Sequence, residues 1–196
     1  MAIDPNAKGW LMVPGIRPDG DRTLEEQMMG LTPALEECRG KTVLDLGAAE
    51  GLIGREFARA GAVSVLGIEL LETHLEVARK ACAGYPQMRF ICSNLLTYIL
   101  RLAGQKPQQF DLVLCLGVIH KMPDPSIPLR FAAQSARSLL VFRAPAAAID
   151  GVVKSKYSGG KVNVPQVMRE EGFVEEALIQ GVRGEAAQYW RRARSA

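Results

Sequence analysis

The chain has 196 residues, of which 48% are hydrophobic and 23% charged, and its formal net charge is +3. That length suits one α/β domain with a sizeable core and leaves little for a second. The small positive excess argues against a dedicated nucleic-acid surface. No run approaches the ~18 apolar residues of a membrane span and no signal-peptide pattern opens the chain, so a cytoplasmic location is expected.

Met1 to Asp21 is broken by prolines and glycines and reads as an arm anchored by Trp10, Leu11 and Ile16. Thr23 with Glu26 is a capping-box pair that predicts a short helix through Met29, closed by Gly30. Thr32-Pro33 starts a second helix, which Gly40 stops. Residues 1–40 are therefore set apart from a main domain over 41–196.

Val43 to Leu46 is a strand with Asp45 inside it, and it runs into Gly47-Ala48-Ala49-Glu50-Gly51, a turn without a branched side chain. A helix is predicted over Leu52–Ala60, with Ile53, Phe57 and Ala60 on one face and Gly61 past its end. Such a turn lets backbone approach a ligand and aims helix N-terminal amides at it. An ordinary strand-to-helix connection uses the same residues. Ala62 to Ile68 is a second strand that ends on Glu69, eighteen residues after Gly51. A carboxylate at that distance can hold a ribose diol. The dinucleotide fingerprint G-x-G-x-x-G is absent, since it would need glycine at Ala49 and a small residue at Leu52.

Thr73 and Glu76 form a second capping-box pair, for a helix with Leu75, Ala78 and Cys82 on one face and Gly84 at its end. His74, in its first turn, reads as solvated. Met88–Cys92 is a third strand, and Asn94 suits the N-cap of a helix over Leu95–Ala103. After a polar loop, Phe110 to His120 is the most apolar run and reads as a central strand buried on both faces. Asp124 or Ser126 caps a helix to about Arg137, and Ser138–Arg143 is a fifth strand. Ala144–Lys161 is aperiodic: a surface loop, or a lid over the pocket. A helix over Val164–Glu171 and strands over Phe173–Gln180 and Ala187–Arg192 complete the chain. Arg191, Arg192 and Arg194 read as a solvated tail. Cys38, Cys82, Cys92 and Cys115 form no C-x-x-C pair and read as reduced residues, three of them in apolar surroundings, with no metal site.

Asp45, Gly47, Gly51 and Glu69 together resemble motif I and the ribose carboxylate of the class I S-adenosylmethionine-dependent methyltransferases. The resemblance runs from about Lys41 to Arg192 and is densest as far as Pro125. It implies a doubly wound, mostly parallel seven-stranded Rossmann-like sheet with helices on both faces, and an N-terminal helical extension over the pocket. It also implies S-adenosylmethionine as cofactor and S-adenosylhomocysteine as product. The methionine part would lie on Asp45, Gly47, Ala48, Ala49, Glu50 and Gly51, the ribose on Glu69 beside Leu70, and the adenine on Asn94 and Leu95. Leu116 and Gly117 would floor the site beneath the methyl group. Two positions depart from the family pattern. Ala49 stands where many members have glycine, and Asn94 stands where an Asp is usual, although its carbonyl can accept the same bond.

The stretch from Leu116 to Pro125 is similar to the small-molecule and tRNA wobble-uridine branches of this family. That places His120 near the methyl acceptor, either bonding or deprotonating an acceptor oxygen or only packing over the pocket mouth. Lys121 reads as solvated. The expected activity is methyl transfer to a small molecule. The alternatives are a tRNA base as acceptor and an inactive binding module, the latter suggested by Ala49 and Asn94. A nicotinamide enzyme is disfavoured by the failed fingerprint, and the oligomeric state is not indicated.

Overall fold

The structure, a computed structural model, describes residues 9–102, 104–143 and 151–193. Thr42–Leu46 (β1) occupies the middle of the sheet because both its edges are paired in parallel, one with Ser64–Glu69 (β2) and the other with Phe110–Leu116 (β4). Met88–Cys92 (β3) adds to β2, and Ala136–Arg143 (β5) adds to β4. A small separate hairpin, Val152–Lys154 (β6) with Lys161–Asn163 (β7), follows. The chain then returns as an antiparallel pair, Phe173–Gln180 (β8) and Ala186–Arg192 (β9), with β9 against β5. The sheet order is β3-β2-β1-β4-β5-β9-β8. This is the mostly parallel, seven-stranded sheet implied by the sequence. Strand order reverses between β1 and β4, which makes the crevice outside their C-terminal ends the expected ligand site.

Parallel neighbours need crossovers, and helices supply them. Leu24–Met28 (α1) and Thr32–Glu37 (α2) precede the sheet; Leu52–Arg59 (α3), Glu72–Ala81 (α4) and Leu95–Arg101 (α5) link its first strands; Ser126–Ser135 (α6) and Val164–Glu170 (α7) follow β4 and β7. Leu112, Val113, Leu114 and Cys115 of β4 are all fully buried, so both faces of the sheet are covered. On one face Leu31, Ala34 and Cys38 pack with Phe57, Val43 and Leu139. On the other, Leu129, Phe131, Met168 and Trp190 pack with Val113 and Phe142. Among the described residues, no helix is long and apolar enough to cross a membrane.

Several expectations change in register. The apolar run from Phe110 leaves the sheet at Leu116, because Gly117 takes φ 66° and Ile119–Lys121 then forms a 3-10 turn. The Thr73–Glu76 box does not form. Glu69 accepts the Leu71 N–H through its side chain, so the helix opens at Glu72 and Thr73 already lies inside it. By contrast, the Thr23–Glu26 box closes in both directions, at 3.1 and 2.9 Å. Helix α6 stops at Ser135 and β5 begins at the next residue, where Arg137 is held 2.7 Å from Asp111. The aperiodic stretch from Ala144 contains the β6–β7 hairpin, while 144–150 lie outside the described residues. In the arm, Leu11 and Val13 are buried and Ile16 is exposed, so Val13 replaces Ile16 as an anchor. Arg191 and Arg192 belong to β9 rather than to a solvated tail. Arg191 pairs with Glu37 and Glu176, and Arg192 donates to the carbonyls of Ala133, Ala136 and Glu171. Arg194 lies outside the described residues. Cys38, Cys82 and Cys115 are buried and Cys92 is exposed.

The N-terminal helices are fixed to the sheet through Arg143 at the end of β5, which is 2% exposed. Its guanidinium donates to the carbonyls of Gln27 (3.0 Å) and Met29 (2.8 Å) and to the Gln27 side chain (3.3 Å). These carbonyls end α1, where a cation is favoured. Replacing Arg143 by Ala leaves them buried without a donor, and is expected to cost about 3 kcal/mol of stability. Chemical denaturation of the variant, followed by circular dichroism, measures it.

Candidate functional site

Five strand ends line this edge of the sheet, tied in two groups on either side of the switch point. The turn after β1 rests on β2 through Gly47 N–H and Ala48 N–H, both donated to the Ile68 carbonyl at 2.8 and 3.0 Å. Ser93 after β3 donates to the Glu69 carbonyl at 2.8 Å, and Gly117 after β4 donates to the Arg143 carbonyl at 3.1 Å. Glu69, Gly47, Asn94 and Gly117 thus lie along one rim, as the sequence places them.

Glu69 is the organising side chain. One carboxylate oxygen accepts the Ala49 N–H at 2.9 Å and the other the Leu71 N–H at 3.0 Å. The side chain keeps 11% exposure, and each oxygen retains a lone pair for a further donor. The turn's own amides are less available than expected. Gly47, Ala48, Ala49 and Gly51 all donate inside the protein, so the turn presents small side chains rather than free donors. Gly51 has φ 73°, and a Cβ there would stand 2.8 Å from the Phe90 ring. Its smallness serves packing against β3 at least as much as access. Ala49 also lies in the left-handed region, at φ 48°, held there by its bond to Glu69.

Asn94 caps α5, accepting the amides of Leu96 (2.9 Å) and Thr97 (3.3 Å), and is exposed. Leu95 behind it is buried, while Leu70 is 42% exposed. Past Leu116, a Cβ on Gly117 would meet nothing within 4 Å among the described residues. His120 in the 3-10 turn is 7% exposed and its Nδ1 has no hydrogen-bond partner. The β6–β7 hairpin covers it, with Lys156 N–H donating to the His120 carbonyl at 2.8 Å.

The arm reaches the same rim. Glu50, fully buried, accepts the Trp10 and Leu11 amides at 2.8 and 2.9 Å and approaches Arg17 at 3.4 Å. The carboxylate is thus turned toward the arm, and only the backbone of Glu50 stays with the turn. The Trp10 ring then lies against Lys121, whose ammonium is 4.6 Å from the ring centre, and against Arg22 at 5.0 Å. Lys121 remains exposed to solvent, as expected, but has an aromatic partner.

A family model described as "Methyltransferase domain" matches residues 43–140, half of the chain, from β1 into β5. The chain belongs to this methyltransferase-domain family. Among its relatives, the ubiquinone biosynthesis O-methyltransferase of Neisseria meningitidis (serogroup C, strain 053442) is 34% identical over 99 residues, 50% of this chain and 40% of that protein. The match therefore spans well under half the length of that relative. Two solved structures share the fold. Magnesium protoporphyrin IX methyltransferase from Synechocystis PCC 6803, with bound S-adenosylhomocysteine, superposes with a TM-score of 0.62 at 18% identity, covering 89% of this chain and 90% of that one. An S-adenosylmethionine-dependent methyltransferase from Mesorhizobium loti superposes with a TM-score of 0.59 at 20% identity, covering 85% and 99%.

Within this methyltransferase domain, two titrating groups are strongly shifted. Asp45, 3% exposed with Oδ2 unpartnered, is pushed up to about 7 by burial and then by the Glu69 charge, against the Gly54 amide. His120 is pushed down to about 4 by burial and then by Lys121 and Lys156, which keeps its ring neutral at pH 7 and makes it a weaker proton acceptor than a free imidazole.

Sequence reading missed His74. It is 7% exposed, because a helix that starts at Glu72 puts His74 one turn before Ala78 on the buried face. Its Nε2 lies 3.7 Å from the Glu50 carboxylate and its Nδ1 3.7 Å from that of Glu69. The spacing to Ala78 was the available signal.

Replacing Ala49 by Gly removes the left-handed strain of an L-residue, worth about 1 kcal/mol after the entropy of the freer unfolded chain is counted. Thermal unfolding is expected to show a rise in Tm of a few degrees. The two shifted groups act on stability in opposite directions. Asp45 is raised above its unfolded value of ~3.9, so it stabilises the fold progressively as pH falls from about 7. His120 is lowered below its unfolded value of ~6.5, so stability is lost as pH falls through 6.5 toward about 4. Asp45→Asn is expected to steepen the acid loss of Tm and His120→Asn to flatten it, in melts between pH 4 and pH 8.

Proposed function

We propose that the chain transfers a methyl group from S-adenosylmethionine to a small molecule, with oxygen as the favoured acceptor atom. The observation that carries this reading is the Glu69 carboxylate, oriented at the switch point by two backbone amides and still open to a diol. The residues present fit the cofactor. Glu69 is placed to hold the ribose, Asp45 and the Gly47–Gly51 turn to border the amino-acid part, and Leu70, Asn94 and Leu95 to flank the adenine. On this reading Leu116 and Gly117 floor the site, and no described residue comes within 4 Å of a Cβ placed on Gly117.

When bound, S-adenosylmethionine supplies a sulfonium methyl that is already electrophilic. The protein's work is then alignment, exclusion of water and care of one proton. Trp10, with the rest of the N-terminal arm, serves as the cover on one side, and the β6–β7 hairpin serves on the other. His120, neutral at pH 7 and weakened as a base by its lowered pKa, serves to orient the acceptor's hydroxyl by a hydrogen bond rather than to take its proton. The named relative, an O-methyltransferase of ubiquinone biosynthesis, supports a small oxygen acceptor, and the net charge of +3 gives a tRNA substrate little to bind. A cytoplasmic setting follows from the same reading.

Calorimetric titration with S-adenosylhomocysteine tests the cofactor assignment. Micromolar binding is expected, weakened about a hundredfold in Glu69→Ala, as loss of two hydrogen bonds to a charged group requires. Radiolabelled methyl transfer to small phenols, compared with transfer to unmodified tRNA, then tests the acceptor class. Absence of binding to the wild type overturns the enzyme reading and leaves a binding module, and transfer to tRNA alone overturns the small-molecule acceptor.

A further inference from the structure

His74 joins two parts of the site that the fold otherwise keeps separate. On one side of its ring is Glu69, whose carboxylate faces the proposed ribose position; on the other is Glu50, whose carboxylate holds the arm. The two carboxylates belong to different turns, yet each brings its Oε1 to 3.7 Å from a ring nitrogen. Neither nitrogen has a hydrogen-bond partner among the described residues, and both are shut off from solvent.

That arrangement is unsettled in a specific way. A separation of 3.7 Å is about half an ångström beyond the range of a hydrogen bond. A buried ring nitrogen without a partner costs about 1–3 kcal/mol. Small rotations bring either nitrogen into bonding range of its carboxylate, and a ring fixed on one carboxylate fixes where the other can sit. Glu69 and Glu50 are both acceptors only, so the ring is the one group between them that can donate. Glu50 in turn spends its remaining capacity on the arm: Oε1 on the Trp10 amide and the Arg17 guanidinium, Oε2 on the Leu11 amide. Arg17 also reaches back to α4, 3.4 Å from the Thr73 carbonyl, so the arm grips the turn of helix that carries His74. A continuous path therefore runs from Glu69 through His74 and Glu50 to Trp10, whose ring lies against Lys121 beside His120.

We propose that His74 is a positioning residue that couples cofactor binding at Glu69 to docking of the N-terminal arm at Glu50. The proposal rests on the cofactor reading given above. Its physical content is a linkage: whatever engages Glu69 shifts the ring, the ring shifts Glu50, and the amides of Trp10 and Leu11 are held more or less firmly as a result. By reciprocity, loosening the arm weakens cofactor binding by the same factor.

Hydrogen exchange at the Trp10 and Leu11 amides, the two that Glu50 accepts, reads arm docking directly, and calorimetric titration with S-adenosylhomocysteine reads cofactor affinity. In the wild type, S-adenosylhomocysteine is expected to slow exchange at both amides. In His74→Leu that response disappears, and affinity falls about tenfold, within the usual range of such couplings. Glu50→Gln produces a similar fall, and the double variant His74→Leu/Glu50→Gln falls no further than either single one. His74→Gln, which keeps one donor, recovers part of the response and serves as the folded control should His74→Leu prove unstable. An undiminished exchange response in both His74 variants, or additive losses in the double variant, overturns the proposal. The cofactor reading fails separately, by no binding to the wild type. The coupling is then read without ligand, because Glu69→Gln must still alter exchange at Trp10 and Leu11 in the wild-type background and not in His74→Leu. An equal effect in both backgrounds overturns it.

Discussion

The Glu69 carboxylate is the interaction on which the site depends. It closes the turn after β1 by accepting the Ala49 amide and opens α4 by accepting the Leu71 amide, so a single side chain sets the geometry of two connections at once. It keeps Ala49 in a left-handed conformation that an L-residue adopts only under constraint, and it fixes the first turn of α4 so that His74 points inward. A carboxylate committed in this way costs nothing further to orient when a ligand arrives, which is the usual advantage of a prearranged site.

Much of this was legible in the sequence because it rests on short-range patterns. The apolar runs at Val43 and Phe110, each bounded by turn residues, read as central strands, and Glu69 falls at the spacing from Gly51 that a strand–turn–helix–strand unit imposes. The fold followed from those few positions. What was not legible depends on contacts distant in sequence. Glu50 looks like one polar residue in a turn of small ones, and nothing local tells that a segment some forty residues upstream will bury it. His74 looks solvated when read only with the polar residues of the first turn, although its spacing of four to Ala78 puts it on the buried face wherever the helix starts. The β6–β7 hairpin is only three residues per strand, too short for alternation to declare itself.

The two departures from the family pattern now have different physical standing. Asn94 does the work of a helix cap with the same oxygen that would otherwise face a ligand, and the Leu96 and Thr97 amides take both of its lone pairs. Ala49 carries a conformational strain that glycine would avoid. Neither removes a group the chemistry requires. The shifted acidity of Asp45 and His120 comes from the way the strand ends exclude water, with burial as the first cause in both cases.

The junction between α6 and β5 has a further consequence. The helix ends at Ser135 and the strand begins at Ala136, with no residue between them. One inserted residue there would either rotate α6 by ~100° against the sheet or reverse the inward and outward faces of β5. This end of the molecule therefore has little tolerance for change in length, and the opposite end, where β4 runs out into the Ile119–Lys121 turn, has much more. Diversification within such a scaffold is channelled toward the strand ends that carry His120 and the hairpin. A library that varies loop length at those ends samples new acceptor shapes while the sheet beneath keeps its register.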